Sequence, residues 1–295
     1  MSDNLRGALL MALAMAGFAL EDMFIKLLAD ALPVGQILVF LGIGGAVLFG
    51  LIAHHKGQQM LSPALLTPAL LLRNTAEMVG TIGFVLSFVL ASLATASAIL
   101  QAAPLCVTLG AVLFLGEKVG WRRWSAIAVG FFGVLLIVRP GMAGFEPAAL
   151  FAVIGVLGLA GRDLATRVIP REVSSYQISS WAFAMIVPAG IFLMLAMDHT
   201  PVIPDLLQLV TLCAALGVGV LSYYALVASM RVGELSFVTP FRYTRMLFAL
   251  IVAILVFEER PDTLTLLGAA IIVGAGLFTL WRETKRPRKS PQAAL

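Results

Sequence analysis

The sequence predicts an all-α polytopic membrane protein, with ten transmembrane helices arranged as two inverted five-helix repeats around a central cavity. Three observations carry this prediction. Hydrophobic residues make up 60% of the chain and charged residues 12%, with a mean hydropathy of +1.00, whereas a soluble domain is about 45–50% apolar and about 25% charged. Apolar runs recur along the chain, each close to the span of about 20 residues that crosses a bilayer core. Two stretches of the second half also echo two of the first.

The spans read in order as 6–29, 33–54, 68–91, 93–115, 122–139, 147–168, 175–197, 204–229, 234–257 and 263–281. The first is too long for a removable signal peptide, and a second apolar run follows it within a few residues. Short loops rich in turn residues separate later spans, among them "LGEKVGW", "RPGMAGFEP" and "DHTPVIPD". The boundary between the third and fourth spans, "LASLATASA", carries no charge or proline. Pro104, Pro188 and Pro240 fall inside spans, where each removes a backbone hydrogen bond. Glycines gather at 41–50, 153–161 and 216–220, allowing helices to approach closely in lipid.

Placing both termini in the cytoplasm puts thirteen basic residues inside: Arg6, Lys56, Lys118, Arg122, Arg123, Arg167, Arg171, Arg231 and five of the tail "RETKRPRK". Only Arg139 and Arg260 then lie outside, so the positive-inside rule selects this orientation and requires an even span count. "AVLFLGEK" (111–118) lies over "AILVFEER" (253–260), and "AIAVGFFGVLLIVR" (126–139) over "AAIIVGAGLFTLWR" (269–282). With five spans per half the second repeat is inverted, a plan that secondary transporters use to place a site between halves. The expected division is 1–142 and 143–284 for the repeats and 285–295 for a basic cytoplasmic tail.

Ionisable residues inside spans are candidate site residues, because a charge at mid-bilayer costs at least about 2.5 kcal/mol and must face water or a partner. Span one holds Glu21, Asp22 and Lys26, span three Arg73 and Glu77, span six Arg162 and Asp163, span nine Arg242 and Arg245. Asp22–Lys26 and Arg73–Glu77 stand one turn apart and can pair. Arg73, close to a span end, can snorkel outward, and Arg167 reads the same way. Adjacent Arg162 and Asp163 point apart, so each is expected to seek a partner on another helix. The five positive charges exceed the four negative ones by one, which a substrate carboxylate on Arg242 or Arg245 would balance. Pairing of these arginines with Asp163 and Glu77 is the alternative. Tyr223 and Tyr243 are further binding candidates, since a phenol in the membrane needs a partner. Glu21, Asp22, Lys26 and Arg162 shape the cavity, and one of the embedded carboxylates can carry a proton.

Other classes find little support. Cys106 and Cys213 read as small core residues, and His54, His55 and His199 have no metal-ligand spacing, so neither a metal nor a cofactor is expected. There is no HExxH, no GxSxG elbow and no glycine-rich nucleotide loop. Basic residues mark topology rather than a nucleic-acid site. The expected partners are a small-molecule substrate and the lipid bilayer, for a protein working as a monomer.

The segments 103–119 and 237–261 each form a span ending in a glutamate-bearing loop, followed by "AIAVGFFGVLLI" or "LGAAIIVGAGLF". In these the chain resembles the drug/metabolite transporter superfamily, in particular its EamA branch, and within that the YddG-type exporters of aromatic amino acids. The resemblance implies a ten-helix basket in a bacterial inner membrane that exports amino acids by alternating access. The arginines of "PFRYTR" and "GRDLATR" depart from the plainer cavity of that exporter type. They fit equally a carrier for uptake or exchange of a larger charged metabolite, such as a nucleoside-linked amino acid.

Overall fold

The structure, a computed structural model, describes residues 3–58, 67–116, 120–142, 145–166, 168–169, 173–232 and 238–284. Its helices are α1 (Asp3–Ala29), α2 (Val34–His55), α3 (Pro68–Leu90), α4 (Leu93–Leu100), α5 (Ala103–Leu115), α6 (Trp121–Val138), α7 (Ala149–Thr166), α8 (Ser175–Ala196) and α9 (Leu206–Val232). A 3-10 turn (Thr239–Tyr243) leads into α10 (Thr244–Val256), and α11 (Thr263–Thr284) follows. Seven of these elements, with Leu93–Leu115 taken as one, are long and apolar enough to cross a membrane. Two shorter apolar helices, Trp124–Val138 and Thr263–Phe278, and the unit 239–256 complete the ten spans.

Proline positions explain two interruptions. Span four breaks at Gln101–Ala102, and Pro104 opens α5, where its missing N–H is no loss. Span nine starts as a 3-10 turn with Pro240 in its first positions. Pro188 is carried inside α8 without a break. The uncharged boundary between spans three and four is set by Ser92, whose hydroxyl accepts from the Thr95 amide and caps α4.

Four antiparallel helix pairs make up the bundle: α1 with α9, α2 with α8, α3 with α7, and α6 with α11. Numbered as spans these are 1–8, 2–7, 3–6 and 5–10, a set that maps onto itself when the halves are exchanged. Close approach at glycine is common to them. A Cβ on Gly83 would lie 2.6 Å from the Gly155 amide nitrogen, and one on Gly155 would lie 2.7 Å from the Phe84 nitrogen. Because backbone cannot yield as a side chain does, Gly155→Val is expected to cost about 1–3 kcal/mol by overpacking. A lowered thermal unfolding temperature of the detergent-purified protein checks this, and an unchanged one would refute the tight α3–α7 seam.

The side where α1 begins is called the near face below, and the side where it ends the far face. Several residues stand where membrane physics places them: Trp121, Trp124 and Trp281 are exposed near helix ends. Cys213 corrects its sequence reading, being exposed on α9 rather than in the core, while Cys106 is buried. Glu117, Arg167, Arg171 and the tail 285–295 lie outside the described residues.

Candidate functional site

Charged side chains converge between the halves in three groups. The first runs across the α3–α7 seam. Arg73 donates to Glu77 at 2.9 Å, as helical spacing requires, and Arg162 donates to the other Glu77 oxygen at 3.0 Å. Arg162 also holds its neighbour Asp163 at 2.8 Å, so these adjacent residues pair with each other as well as reaching outward. The far end of this chain is Arg242, whose guanidinium stands 3.8 Å from Asp163, beyond hydrogen-bond range. Arg73 does not snorkel: its side chain is 2% exposed and turned into the seam. The reason is Glu77, an acceptor on the inner side that outcompetes the membrane surface.

The second group holds Arg245. It donates to Asp22 at 2.7 Å, and Phe18 and Phe84 both lie 5.2 Å from its guanidinium. The two rings and the carboxylate hold the planar cation in place, although its buried Nε has no hydrogen-bond partner among the described residues. Its partner is Asp22, not Glu77 as the pairing alternative supposed. Asp22 consequently does not pair with Lys26, although the two are one turn apart. Glu21 points elsewhere, over Gly219 of α9, and accepts no hydrogen bond from a described residue.

The third group is at the far face, and it turns on Glu259, a residue that sequence reasoning passed over. Its carboxylate accepts from Lys26 at 2.7 Å, from the Ser92 hydroxyl at 2.7 Å, and from the Leu93 and Ala94 amides at 2.9 and 3.0 Å. Lys26 also donates to the Ala91 carbonyl. Burial raises the Glu259 pKa, but the bonds from Lys26, Ala94, Ser92 and Leu93 outweigh it and hold the group below the usual carboxylate range. The carboxylate therefore stays ionised at neutral pH, and its bonds are lost only as pH falls through that lowered value. Beside it Arg139 bonds Asp262 and Thr265, tying the end of α6 to the start of α11. A cavity of about 250 Å³ opens here, lined by Ser92, Thr95, Arg139, Glu146, Glu259 and Asp262 among others. It lies at the far face rather than between the arginines of span nine.

Glu259 also bears on the charge count, since it gives Lys26 a carboxylate partner from outside the spans. What remains is local imbalance: Arg242 is loosely held and Glu21 has no partner among the described residues. Tyr243 does not sit with the arginines that flank it in sequence. It is turned to α11, its hydroxyl against Gly276 and without a hydrogen-bond partner among the described residues. Tyr223 packs edge-on against Phe49 and Phe183, with centroids 5.7 and 5.8 Å away. Among the described residues no group of three His, Cys, Asp or Glu could hold a metal ion.

An apolar bundle of paired helices with charged groups buried between its halves is the build of a membrane carrier. The chain belongs to the EamA-like transporter family, whose model matches it twice, over residues 5–139 and 146–281. The protein is thus a multi-pass membrane transporter of a small molecule, in a family of transporters rather than enzymes. It is 29% identical over 219 residues to an S-adenosylmethionine uptake transporter of Rickettsia bellii, covering 74% of each chain. It is 31% identical over 194 residues to a riboflavin transporter of Rhizobium johnstonii, covering 66% of this chain and 64% of that one. With the pseudopaline exporter of Pseudomonas aeruginosa it shares 28% identity over 273 residues, covering 91% and 94%. A solved crystal structure with 17% identity matches at a TM-score of 0.53 over 93% of this chain and 99% of that one, a likeness of fold alone.

Proposed function

We propose that the protein carries a metabolite bearing an amino-acid carboxylate across a bacterial inner membrane by alternating access, and that Arg242 binds that carboxylate. The observation that supports this most is the contrast between two neighbouring arginines. Arg245 is bonded to Asp22 and flanked by Phe18 and Phe84, with its buried Nε left without a hydrogen-bond partner among the described residues, whereas Arg242 keeps 31% of its side chain exposed and touches Asp163 only at 3.8 Å. A guanidinium held in place but not bonded is ready to take a carboxylate with two parallel hydrogen bonds. Asp163, Arg162, Glu77 and Tyr223 would frame the group, and Glu21, Asp22 and Lys26 would shape the path beyond it. Tyr243 would support the turn that presents Arg242.

The substrate we favour is a larger charged metabolite of the S-adenosylmethionine kind, taken up or exchanged. One relative is named for that uptake, and a loosely held guanidinium at Arg242 together with a carboxyl at Glu21 that accepts no hydrogen bond from a described residue suits a molecule with charged groups of both signs. Export of free amino acids is the second reading, favoured by the near full-length likeness to an exporter. The near face would be cytoplasmic, with the repeats divided at 142/143 and the protein working as a monomer.

Uptake of labelled S-adenosylmethionine and of labelled phenylalanine into proteoliposomes separates these readings. Arg242→Ala is expected to lower flux at limiting substrate at least about tenfold, since a hydrogen bond to a charged group contributes about 1.5–3 kcal/mol. Full flux in folded Arg242→Ala protein would end the carboxylate proposal. Flux of neither compound in the wild type would end both substrate readings.

A further inference from the structure

The geometry points to Glu259 as the gating residue of the far face, whose bonds to Lys26 and to the start of α4 hold that face closed and must break for it to open. The inference rests on transport by alternating access and goes beyond it by naming the atoms that separate.

Glu259 lies outside the spans, in the connection between α10 and α11, and its four bonds reach two other elements. Lys26 belongs to the last turn of α1, and Ser92, Leu93 and Ala94 begin α4. Both elements are in the first half of the chain, and Glu259 is in the second. One carboxylate therefore ties α1, α4 and the α10–α11 connection together at the far face. The two amides are among the first of α4, which have no partner within the helix, so a carboxylate is drawn to them by both hydrogen bonding and the helix dipole. Ser92 links the two roles, donating to Glu259 while accepting from Thr95.

The Lys26 and Glu259 side chains are 17% and 14% exposed, so the pair is largely shielded although it borders the far-face cavity. Opening need not strand the donors, because Glu259 borders a cavity large enough for water, which can take over each bond as the carboxylate withdraws. A latch with a wet side is reversible, as a transport cycle needs. Replacing it with a greasy seal would not offer that exchange.

The test uses Ser97→Cys, one turn below Leu93 on α4 and fully buried, in full-length protein whose natural Cys106 and Cys213 are replaced by alanine. A membrane-impermeant maleimide is added to the far face of sealed vesicles of known orientation. In the otherwise unaltered protein labelling should be slow. Glu259→Gln keeps the shape but gives up the charge and one acceptor, and Lys26→Met removes the other partner. Either should speed labelling about five- to thirtyfold, the population change that follows a modest loss of stabilisation. Lys26→Arg keeps the charge and should stay slow, which a generally loosened bundle would not do. Unchanged labelling in folded Glu259→Gln and Lys26→Met would overturn the inference, as would fast labelling in Lys26→Arg. If Glu259→Gln fails to fold, Lys26→Met alone gives the reading, since it leaves the Ser92 cap of α4 intact. No substrate enters the measurement, so its outcome is separate from that of the flux experiments.

Discussion

Glu77→Ala is expected to cost about 3–5 kcal/mol of stability and to leave little folded protein, the effect of removing one partner from a buried ion pair. Glu77 accepts from Arg73 on one oxygen and from Arg162 on the other, at 2.9 and 3.0 Å. Truncation therefore strands two guanidinium groups at once. They do not suffer equally. Arg162 retains Asp163, while Arg73 is left with a single bond to the Asn74 side chain. Glu77→Gln keeps an acceptor but no charge and should fall between wild type and alanine. Glu77→Leu combined with Arg73→Met removes the stranded cation with its partner, so it should recover most of the loss. Thermal unfolding in detergent orders the four proteins. If the double variant proves no better than Glu77→Ala, the seam is not held by this pair.

The spans were legible in the sequence because a bilayer requires one contiguous apolar run per crossing, a property of neighbouring residues. Arg73–Glu77 was legible for the same reason, being one helical turn long. Lys26–Glu259 and Arg245–Asp22 were not, since 233 and 223 residues separate the partners. Spacing alone favoured Asp22–Lys26, which has the right geometry on an isolated helix. It loses because Arg245 and Glu259 each offer a partner that also brings other contacts. Glu259 was hidden by its address: a glutamate in a loop reads as solvated, and only the start of α4 beside it shows otherwise. The clues in the sequence were the repeat, which aligns Glu259 with Glu117 at the end of a span, and Ser92, a cap residue at a boundary without charge or proline.

Proline marked where spans four and nine are interrupted, yet not how. In span four the break leaves two helices, α4 and α5; in span nine it gives a 3-10 turn that aims Arg242 toward α7 and Tyr243 toward α11. On a regular α-helix Arg242 and Arg245, three residues apart, would share a face, and as embedded charges both were substrate candidates. The turn separates their fates.

That separation has a direct consequence for stability. Asp22→Ala is expected to cost about 3–5 kcal/mol, because Arg245 would stay buried without its carboxylate. The interaction should be strongly non-additive: Asp22→Leu with Arg245→Met should be far more stable than the sum of the single changes allows. Exchanging the two residues, Asp22→Arg with Arg245→Asp, restores opposite charges but moves the cation away from Phe18 and Phe84. Each ring contributes about 0.5–2 kcal/mol to a guanidinium over its face, so the exchange should recover less than the apolar pair. Equal recovery by both would mean that the rings add nothing. The apolar pair also isolates the transport role. If Asp22 and Arg245 only build the site, the Leu/Met protein folds and still shows flux that Arg242→Ala abolishes. A Leu/Met protein that folds but carries nothing would place Arg245, despite its bond to Asp22, on the substrate's path.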